Sequence, residues 1–530
     1  MADPDIAQLI SETLRDPNFH KFVKFIGSCI LTIWLSWRVI RWFGKAAIAK
    51  AEREKAWREQ MGRVHGSARW MTSDDLKAHK MVGSAASPGD LIIGLDGSNS
   101  HVIYWGENGH MLTFAPTGAG KGVSSLIPNL LMYPGSVVVI DPKGENAFVT
   151  ARRRRELGQA VHILDPFGKV SKKYPTSAAF NPLDWIDPAG DEAAEDAALL
   201  AEALAPADGK GEQFWNNEAR ALIAGLLLFI AEHEPPEHRN LGRLRDLLSL
   251  HPDEWRGLLD QMGKSENPLV RSAGNRISQK AEREMSGVLS TAQSHTHFLD
   301  SGKVRAVLEK TTVDFRALKK EPTSIYLVLP AEQLQNQGRW LRLMITALLR
   351  AMSRDDDAAE DPDKKKTRPK YDVLFLLDEF AALGHLNSIK TAFGLMRGYG
   401  LKLWPILQDL PQLQGLYRDD WQTFIANAGA IQVFGTNDRA TAEYVSKQIG
   451  TETVDTASKT YSQHGASEST GLTGRPLMMP DEVMRIEKEQ AIVLLRGLNP
   501  MVCRRIMYYK DETFKPHADP NPYVMPESKK

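Results

Sequence analysis

Apolar runs of three to five residues recur along this chain, with helix-prone stretches between them. They are Leu112–Phe114, Val137–Ile140, Val161–Leu164, Ile325–Leu329, Val373–Leu377, Leu403–Leu407, Ile431–Phe434 and Ile492–Leu495. Runs that are apolar at successive positions, rather than alternate ones, predict strands buried on both faces, as in a parallel sheet covered by helices. Their alternation with helical stretches predicts an α/β fold built on a doubly wound sheet. The pattern breaks between Asn181 and Glu321. Segments there such as DEAAEDAALLAEALA and NNEARALIAGLLLFIAEH are rich in Ala, Leu, Glu and Arg, which predicts an all-α insertion between two strands.

Near the N-terminus, Phe22–Phe43 reads FVKFIGSCILTIWLSWRVIRWF. Its charge-free core, Phe25–Trp37, is shorter than the roughly 20 apolar residues of a full span. Lys24, Arg38 and Arg41 stand where they can snorkel, and Trp34, Trp37 and Trp42 suit an interface belt. A single short membrane span is the expectation, with an amphipathic helix lying on a surface as the alternative. Basic residues follow it (Arg38, Arg41, Lys45, Lys50), which predicts that the large C-terminal part is cytoplasmic. Ser353–Lys370 is charged and reads as a solvated loop, and Thr451–Gly474, rich in Ser, Thr and Gly, as a mobile loop. Asp511–Lys530 is Pro-rich and polar and reads as a disordered tail; Arg152–Arg155 reads as a solvated helix face.

Composition narrows the partners. The 530 residues leave room for two or three domains, and 66 basic residues balance 66 acidic ones for a net charge of zero. No global basic field is available, so any DNA contact is local. Two cysteines, Cys29 and Cys503, exclude a disulfide framework or a cysteine zinc site and fit a reducing compartment. The 14 histidines lack metal-ligand spacing.

The chemistry begins at MLTFAPTGAGKGVSSLIPNL, Met111–Leu130: an apolar run, a small-residue loop, a lysine and a helical pattern. This is the layout of a phosphate-binding loop, in which backbone N–H groups cradle phosphates and the lysine reaches the outer ones. Thr117, Gly118, Ala119, Gly120, Lys121, Gly122 and Val123 are the candidate nucleotide contacts. Ala115 occupies the place of the first glycine of the usual pattern, and Gly122 replaces the hydroxyl residue that holds Mg2+. The run VLFLLDEF supplies the complement, a buried strand ending in Asp378 and Glu379. Asp378 at the tip is the candidate Mg2+ ligand, through water, and Glu379 the residue that polarises the attacking water. A hydroxyl from Ser124 or Ser125 is a weaker candidate. The pairing of loop and acidic strand predicts an ATPase using ATP and Mg2+.

Three further positions follow. Gln408, after the strand Leu403–Leu407, either orients the attacking water or is an ordinary strand-end polar residue. Arg397 either reaches a neighbouring subunit's nucleotide as an arginine finger or forms a salt bridge within its own subunit. Asp141 and Lys143, ending the second strand, contact nucleotide or shape the pocket.

With both nucleotide segments in place, the chain resembles the TraG/TraD-like coupling ATPases of type IV secretion and conjugation systems. The resemblance rests on HGSARW (65–70), APTGAGKG (115–122), VVVIDPKGE (137–145), FNPLDW (180–185), FLLDEFAALG (375–384), ILQDLPQLQGLY (406–417) and FGTNDRATAEYVSKQIGTET (434–453). It covers about residues 65 to 507, and family members often have two spans where one is visible here. It implies a RecA-like P-loop motor, hexameric, at the bacterial inner membrane. It implies cargo of relaxase–DNA or protein effectors, non-specific DNA contact, delivery to a type IV secretion channel, and a functional Gln408. The expected organisation is a tail and anchor (1–50), a nucleotide-binding domain in two parts (51–185 and 322–510), the all-α insertion (186–321) and a disordered tail (511–530). A docking receptor that selects cargo without moving it, and a double-stranded DNA pump, are the alternatives.

Overall fold

A computed structural model describes residues 63–523 except 84–86, 98–100, 108, 171–172, 175–177, 207–212, 355–368 and 463–464, together with scattered helical residues before 63. The chain divides into two units. The larger comprises residues 69–449 and 478–530; the smaller comprises 1–68 and 450–477.

The larger unit is built on a mixed sheet. Its strands are β1 (Leu91–Leu95), β2 (Val102–Trp105), β3 (His110–Phe114), β4 (Val137–Ile140), β5 (Ala160–Leu164), β6 (Thr323–Leu327), β7 (Val373–Leu377), β8 (Leu401–Leu407), β9 (Ala428–Val433), β12 (Gln490–Leu495) and β13 (Met501–Arg504). Their order across the sheet is β2-β1-β13-β12-β9-β3-β8-β7-β4-β6-β5. From β9 to β5 every neighbouring pair is parallel. Seven of the apolar runs form this block, and β3, β4, β6, β7, β8 and β9 are buried at every position. That burial is why they read as largely apolar runs, with Thr113, Ser324, Lys402 and Gln432 among the buried polar exceptions. The eighth run, β12, lies antiparallel to β9 and begins an antiparallel flank of β12, β13, β1 and β2.

Between β5 and β6 the described residues form only helices and short turns. Helix Gln213–His233 is central and packs on helices Ala193–Leu204, Pro268–Ser278 and Glu282–Thr296. Gly225 permits this contact: a Cβ there would lie 2.3 Å from the Ala273 Cβ. The insertion belongs to the same unit as the sheet. Asp196 is buried in it and takes Arg350 Nε at 2.9 Å from the long helix Leu334–Ser353 that follows β6.

Two expectations are corrected in this unit. The segment after Asp511 is not a disordered tail as far as Tyr523: Phe514 is buried, Asp519 Oδ1 accepts from Arg152 Nε at 2.6 Å and its Oδ2 from Lys173 Nζ at 2.9 Å. Few but well-placed anchors dock a polar segment whose composition conceals them; residues 524–530 lie outside the described residues. The four arginines of 152–155 do not form a solvated face either. Arg154 is fully buried and donates to the carbonyls of Leu130 (3.1 Å), Gly135 (2.7 Å) and Tyr133, to Gln159 Oε1 (2.6 Å) and to Ser324 Oγ (2.9 Å). Burial lowers its pKa to about 10, so it remains a cation, stabilised by carbonyl dipoles instead of a carboxylate.

In the smaller unit, β10 (Thr451–Ser462) and β11 (Gly465–Pro476) form an antiparallel hairpin running from Thr451↔Pro476 to Ser462↔Gly465. The expected mobile loop is therefore paired backbone. Small hydroxyl residues and glycines hide a strand whose described side chains, at 451–457 and 471–476, are exposed or half-buried. The stretch His65–Ala68 lies on the hairpin's base: His65 N donates to Thr453 Oγ1 at 3.1 Å and Ala68 N to the Thr451 carbonyl at 2.9 Å. A Cβ on Gly66 would stand 2.2 Å from that carbonyl oxygen, so only glycine fits. Among the described residues no helix is long and apolar enough to cross a membrane. The Phe22–Phe43 stretch is described only in part, and the loop expected at Ser353–Lys370 lies almost wholly outside the described residues.

Candidate active site

The site lies at the C-terminal edge of the parallel strands, where the sheet brings separate segments together. β3 runs into the loop Ala115–Gly120, which is tied to the neighbouring strand because Ala115 N donates to the Leu407 carbonyl at 2.8 Å. Gly118 (φ +79°) and Gly120 (φ +81°) take left-handed conformations that L side chains rarely adopt. Thr117 and Gly118 stand exposed at its crest. Lys121 turns the chain into a wide helical turn, Gly122–Leu126, and then into helix Ile127–Met132. Ser124 closes that turn, its Oγ donating to the Gly120 carbonyl at 2.7 Å. Val123 packs against the buried cluster that holds Ile127, Ile506 and Tyr508.

Between β3 and β7 the sheet holds one strand, β8. Lys121 bridges the gap: its Nζ lies 2.7 Å from Asp378 Oδ1 and 2.9 Å from Glu379 Oε1 at the tip of β7. Burial works to lower the Lys121 pKa, but the two carboxylates outweigh it and raise it. Burial pushes Asp378 above the usual carboxylate range, with Lys121 opposing. Glu379 has a left-handed backbone (φ 53°, ψ 46°) and its N–H donates to Asp378 Oδ1 at 3.0 Å. For a non-glycine residue that conformation costs about 1–2 kcal/mol, a form of strain found where a side chain must be aimed.

The other expected positions fall differently. Gln408 follows β8, between the loop and the β7 tip, its N–H held by Gln412 Oε1 at 2.9 Å. Arg397 is in the short turn Met396–Tyr399 ahead of β8, and its side chain lies outside the described residues. Asp141, at the end of β4, does not reach into the loop. It is buried and accepts from Ala147 N at 2.8 Å and Asn146 Nδ2 at 3.4 Å, so it shapes the edge by holding the start of helix Glu145–Glu156. Burial raises its pKa to about 7. Lys143 is exposed, and its carbonyl accepts from Tyr523 Oη at 2.7 Å.

One residue escaped the sequence reading. Arg505, just after β13, donates to the Ala119 carbonyl in the loop and stacks 4.8 Å over the Phe434 ring. Nothing in the run CRRIMYY distinguishes it, because its partner lies 386 residues away.

The residues fit a nucleotide with a divalent cation. The loop's two left-handed glycines leave a cradle without side chains, and Asp378 is a hard oxygen donor. Ser124 and Ser125 both donate their hydroxyls within the protein, Ser124 Oγ to the Gly120 carbonyl at 2.7 Å and Ser125 Oγ to Gln432 Oε1 at 3.2 Å. Among the described residues no group of three or more His, Cys, Asp or Glu could hold a metal alone. A cation here would therefore be shared with phosphate oxygens.

Comparison with known proteins follows the same line. The family model described as type IV secretory system conjugative DNA transfer matches residues 51–529. Protein VirD4 of Rhizobium radiobacter is 32% identical over 428 residues, covering 77% of this chain and 58% of its own length. A conjugal transfer protein TraG of Escherichia coli is 28% identical over 512 residues, 86% of this chain and 78% of its own. The chain thus spans only about 58–60% of the VirD4 relatives it matches. Among solved structures, the bacterial conjugative coupling protein TrwBdeltaN70 superposes with a TM-score of 0.63 over 84% of this chain and 94% of its own, at 17% identity. TrwB in complex with ADP and Mg2+ gives 0.61 over 83% and 94%, also at 17%. At that identity the likeness establishes the fold alone.

Proposed function

Since the chain belongs to the type IV secretory system conjugative DNA transfer family, we propose that it is an ATP-driven coupling protein that recruits cargo and delivers it to a type IV secretion channel. The observation that carries this reading is the meeting of Lys121 with Asp378 and Glu379 at one sheet edge. The TrwB complexes with a non-hydrolysable ATP analogue and with ADP and Mg2+ support the same ligands here.

In this reading the loop residues Thr117–Val123 bind the phosphates through backbone N–H groups. Lys121 exchanges its carboxylate partners for phosphate oxygens, which frees Glu379. Glu379 takes the proton of the water that attacks the terminal phosphate, Gln408 orients that water, and Lys121 balances the charge that develops. Asp378 holds Mg2+, which when bound neutralises phosphate charge. Arg397 acts on a neighbouring subunit of a ring, a hexamer by family resemblance.

The cargo is a relaxase–DNA complex or a protein effector, selected by the all-α insertion at about 186–321. DNA contact during transport is non-specific and salt-sensitive, because local basic groups would meet backbone phosphates and release counterions. The Phe22–Phe43 stretch anchors the protein at the inner membrane with the catalytic part in the cytoplasm. The test is a cell carrying Glu379→Gln as its only copy. Cargo should still co-purify with the protein while transfer stops. Transfer at the wild-type rate would instead make the protein a docking receptor.

A further inference from the structure

The left-handed backbone of Glu379 is held in place by the chain that follows it. Strain of that kind persists only where the surroundings over-determine the backbone. The turn Phe380–Leu383 is closed by Ala382 N donating to the Glu379 carbonyl at 2.8 Å and by Gly384 N donating to the Ala381 carbonyl at 3.0 Å. Helix Leu334–Ser353 passes tightly against it: a Cβ on Gly338 would stand 3.1 Å from the Ala382 carbonyl oxygen.

One helical turn further on, Arg342 makes that contact a clamp. It is buried in the middle of the same helix, 5% exposed. Its Nη1 donates to the carbonyls of Leu383 and of His385 (2.8 Å), on either side of Gly384, whose φ is +61°. Its Nε donates to the Ala203 carbonyl at 3.2 Å. Ala203 lies in the last turn of helix Ala193–Leu204, where carbonyls lack intrahelical partners and a cation is favoured. Beside this link, Asn387 Nδ2 donates to Glu202 Oε1 at 2.7 Å. Glu202 and Ala203 belong to the all-α insertion, and Leu383, His385 and Asn387 to the chain leaving Glu379. A single guanidinium thus holds one end of the insertion and the turn that aims Glu379. The planar fork suits this task, because its donors point toward both partners at once.

Resting on the reading of Glu379 as the residue that takes the proton of the attacking water, we propose that Arg342 is a positioning residue for hydrolysis, tying the aim of Glu379 to the end of helix Ala193–Leu204. The carbonyls it holds lie outside the phosphate loop, so it acts through Glu379 and not on the nucleotide. A shift of helix Ala193–Leu204, which packs on the central insertion helix Gln213–His233, reaches Glu379 through this side chain. Turnover is sensitive to such shifts, since a misplacement of about 1 Å can cost about a hundredfold in rate. Lys121 and the loop stay as they are, so the change falls on turnover and not on nucleotide affinity.

The test measures kcat and KM for ATP hydrolysis, and ATP binding by calorimetry, on the purified full chain. The variants are Arg342→Lys and Glu202→Ala, each alone and combined with Glu379→Gln. Arg342→Lys should lower kcat about tenfold and Glu202→Ala about threefold, with KM and ATP affinity unchanged. In the Glu379→Gln background neither should lower the residual rate further, because the effect passes through Glu379. Equal fold-losses in the two backgrounds would overturn the action through Glu379. Unchanged kcat in Glu202→Ala would overturn the tie to the insertion. The Asn387–Glu202 contact is exposed, so Glu202→Ala leaves the core intact and carries the test where Arg342→Lys fails to fold. Wild-type hydrolysis by Glu379→Gln alone would instead overturn the reading of Glu379 itself.

Discussion

Glu379 Oε1 lies 2.9 Å from Lys121 Nζ, and the residue that makes this contact is held in a left-handed backbone conformation. The two positions are 258 residues apart in sequence. The strained turn aims the carboxylate back across β8 at the phosphate loop, so the contact and the strain are one feature.

That coupling predicts opposite responses at one position. Glu379→Gln keeps the side-chain length and should bind ATP while hydrolysis falls at least about a hundredfold. Glu379→Gly should lose hydrolysis equally but gain up to about 1 kcal/mol of stability, because glycine relieves the left-handed strain. Steady-state ATPase and denaturant unfolding measure both; a clear loss of stability in Glu379→Gly would mean that the side chain holds the turn together.

Arg154 should be irreplaceable. Its guanidinium satisfies three carbonyls, Gln159 and Ser324 in a fully buried place. Arg154→Leu leaves those acceptors unpaired and should cost about 3 kcal/mol or more. Arg154→Lys should rescue little, since an ammonium cannot reproduce the planar fork. Recovery of most of the stability by lysine, in a chemical denaturation series, would contradict this geometry.

Asp141 should impose a pH dependence on the fold. Its folded pKa is about 7, against 3.8 for the ordinary group, with burial the main cause. Between these values the native chain retains a proton that the unfolded chain has released. Its contribution therefore weakens the fold as pH rises from about 4 to 7 and is constant outside that window, a change of a few kcal/mol. Asp141→Asn should flatten this slope. Asn146 Oδ1, buried without a partner, can accept from the new amide after Asn146 flips. Parallel stability–pH curves for the two proteins would rule the assignment out.

The C-terminal segment should stabilise the larger unit. Phe514→Ala removes a buried ring and should cost about 3 kcal/mol. Asp519→Asn, which uncouples Arg152 and Lys173 near the surface, should cost under about 1 kcal/mol. Thermal melts rank the two, and an unchanged melting temperature in Phe514→Ala would return this segment to the status of a loose tail.

The amino-acid sequence by itself determined whatever is carried by local pattern. β4 and β7 were legible to the residue, and the other core strands to within three residues at either end, because a strand buried on both faces is apolar at most positions. The left-handed glycines and the lysine of the loop, the acids ending β7, and the all-helical stretch after β5 were legible for the same reason: each is a short-range necessity. Tertiary structure alone decided which distant segments meet. No periodicity distinguishes Arg154, a buried strut, from Arg155, an exposed neighbour, because burial is set by the strands packed around the helix. The hairpin at Thr451–Pro476 carries no apolar alternation to mark its strands, and the segment ending at Tyr523 docks through single anchors at Phe514 and Asp519. Arg505 reaches the Ala119 carbonyl only because two antiparallel pairings return β13 to the direction of β3. Contacts of that kind follow from the order of strands in the sheet, which no local run of residues encodes.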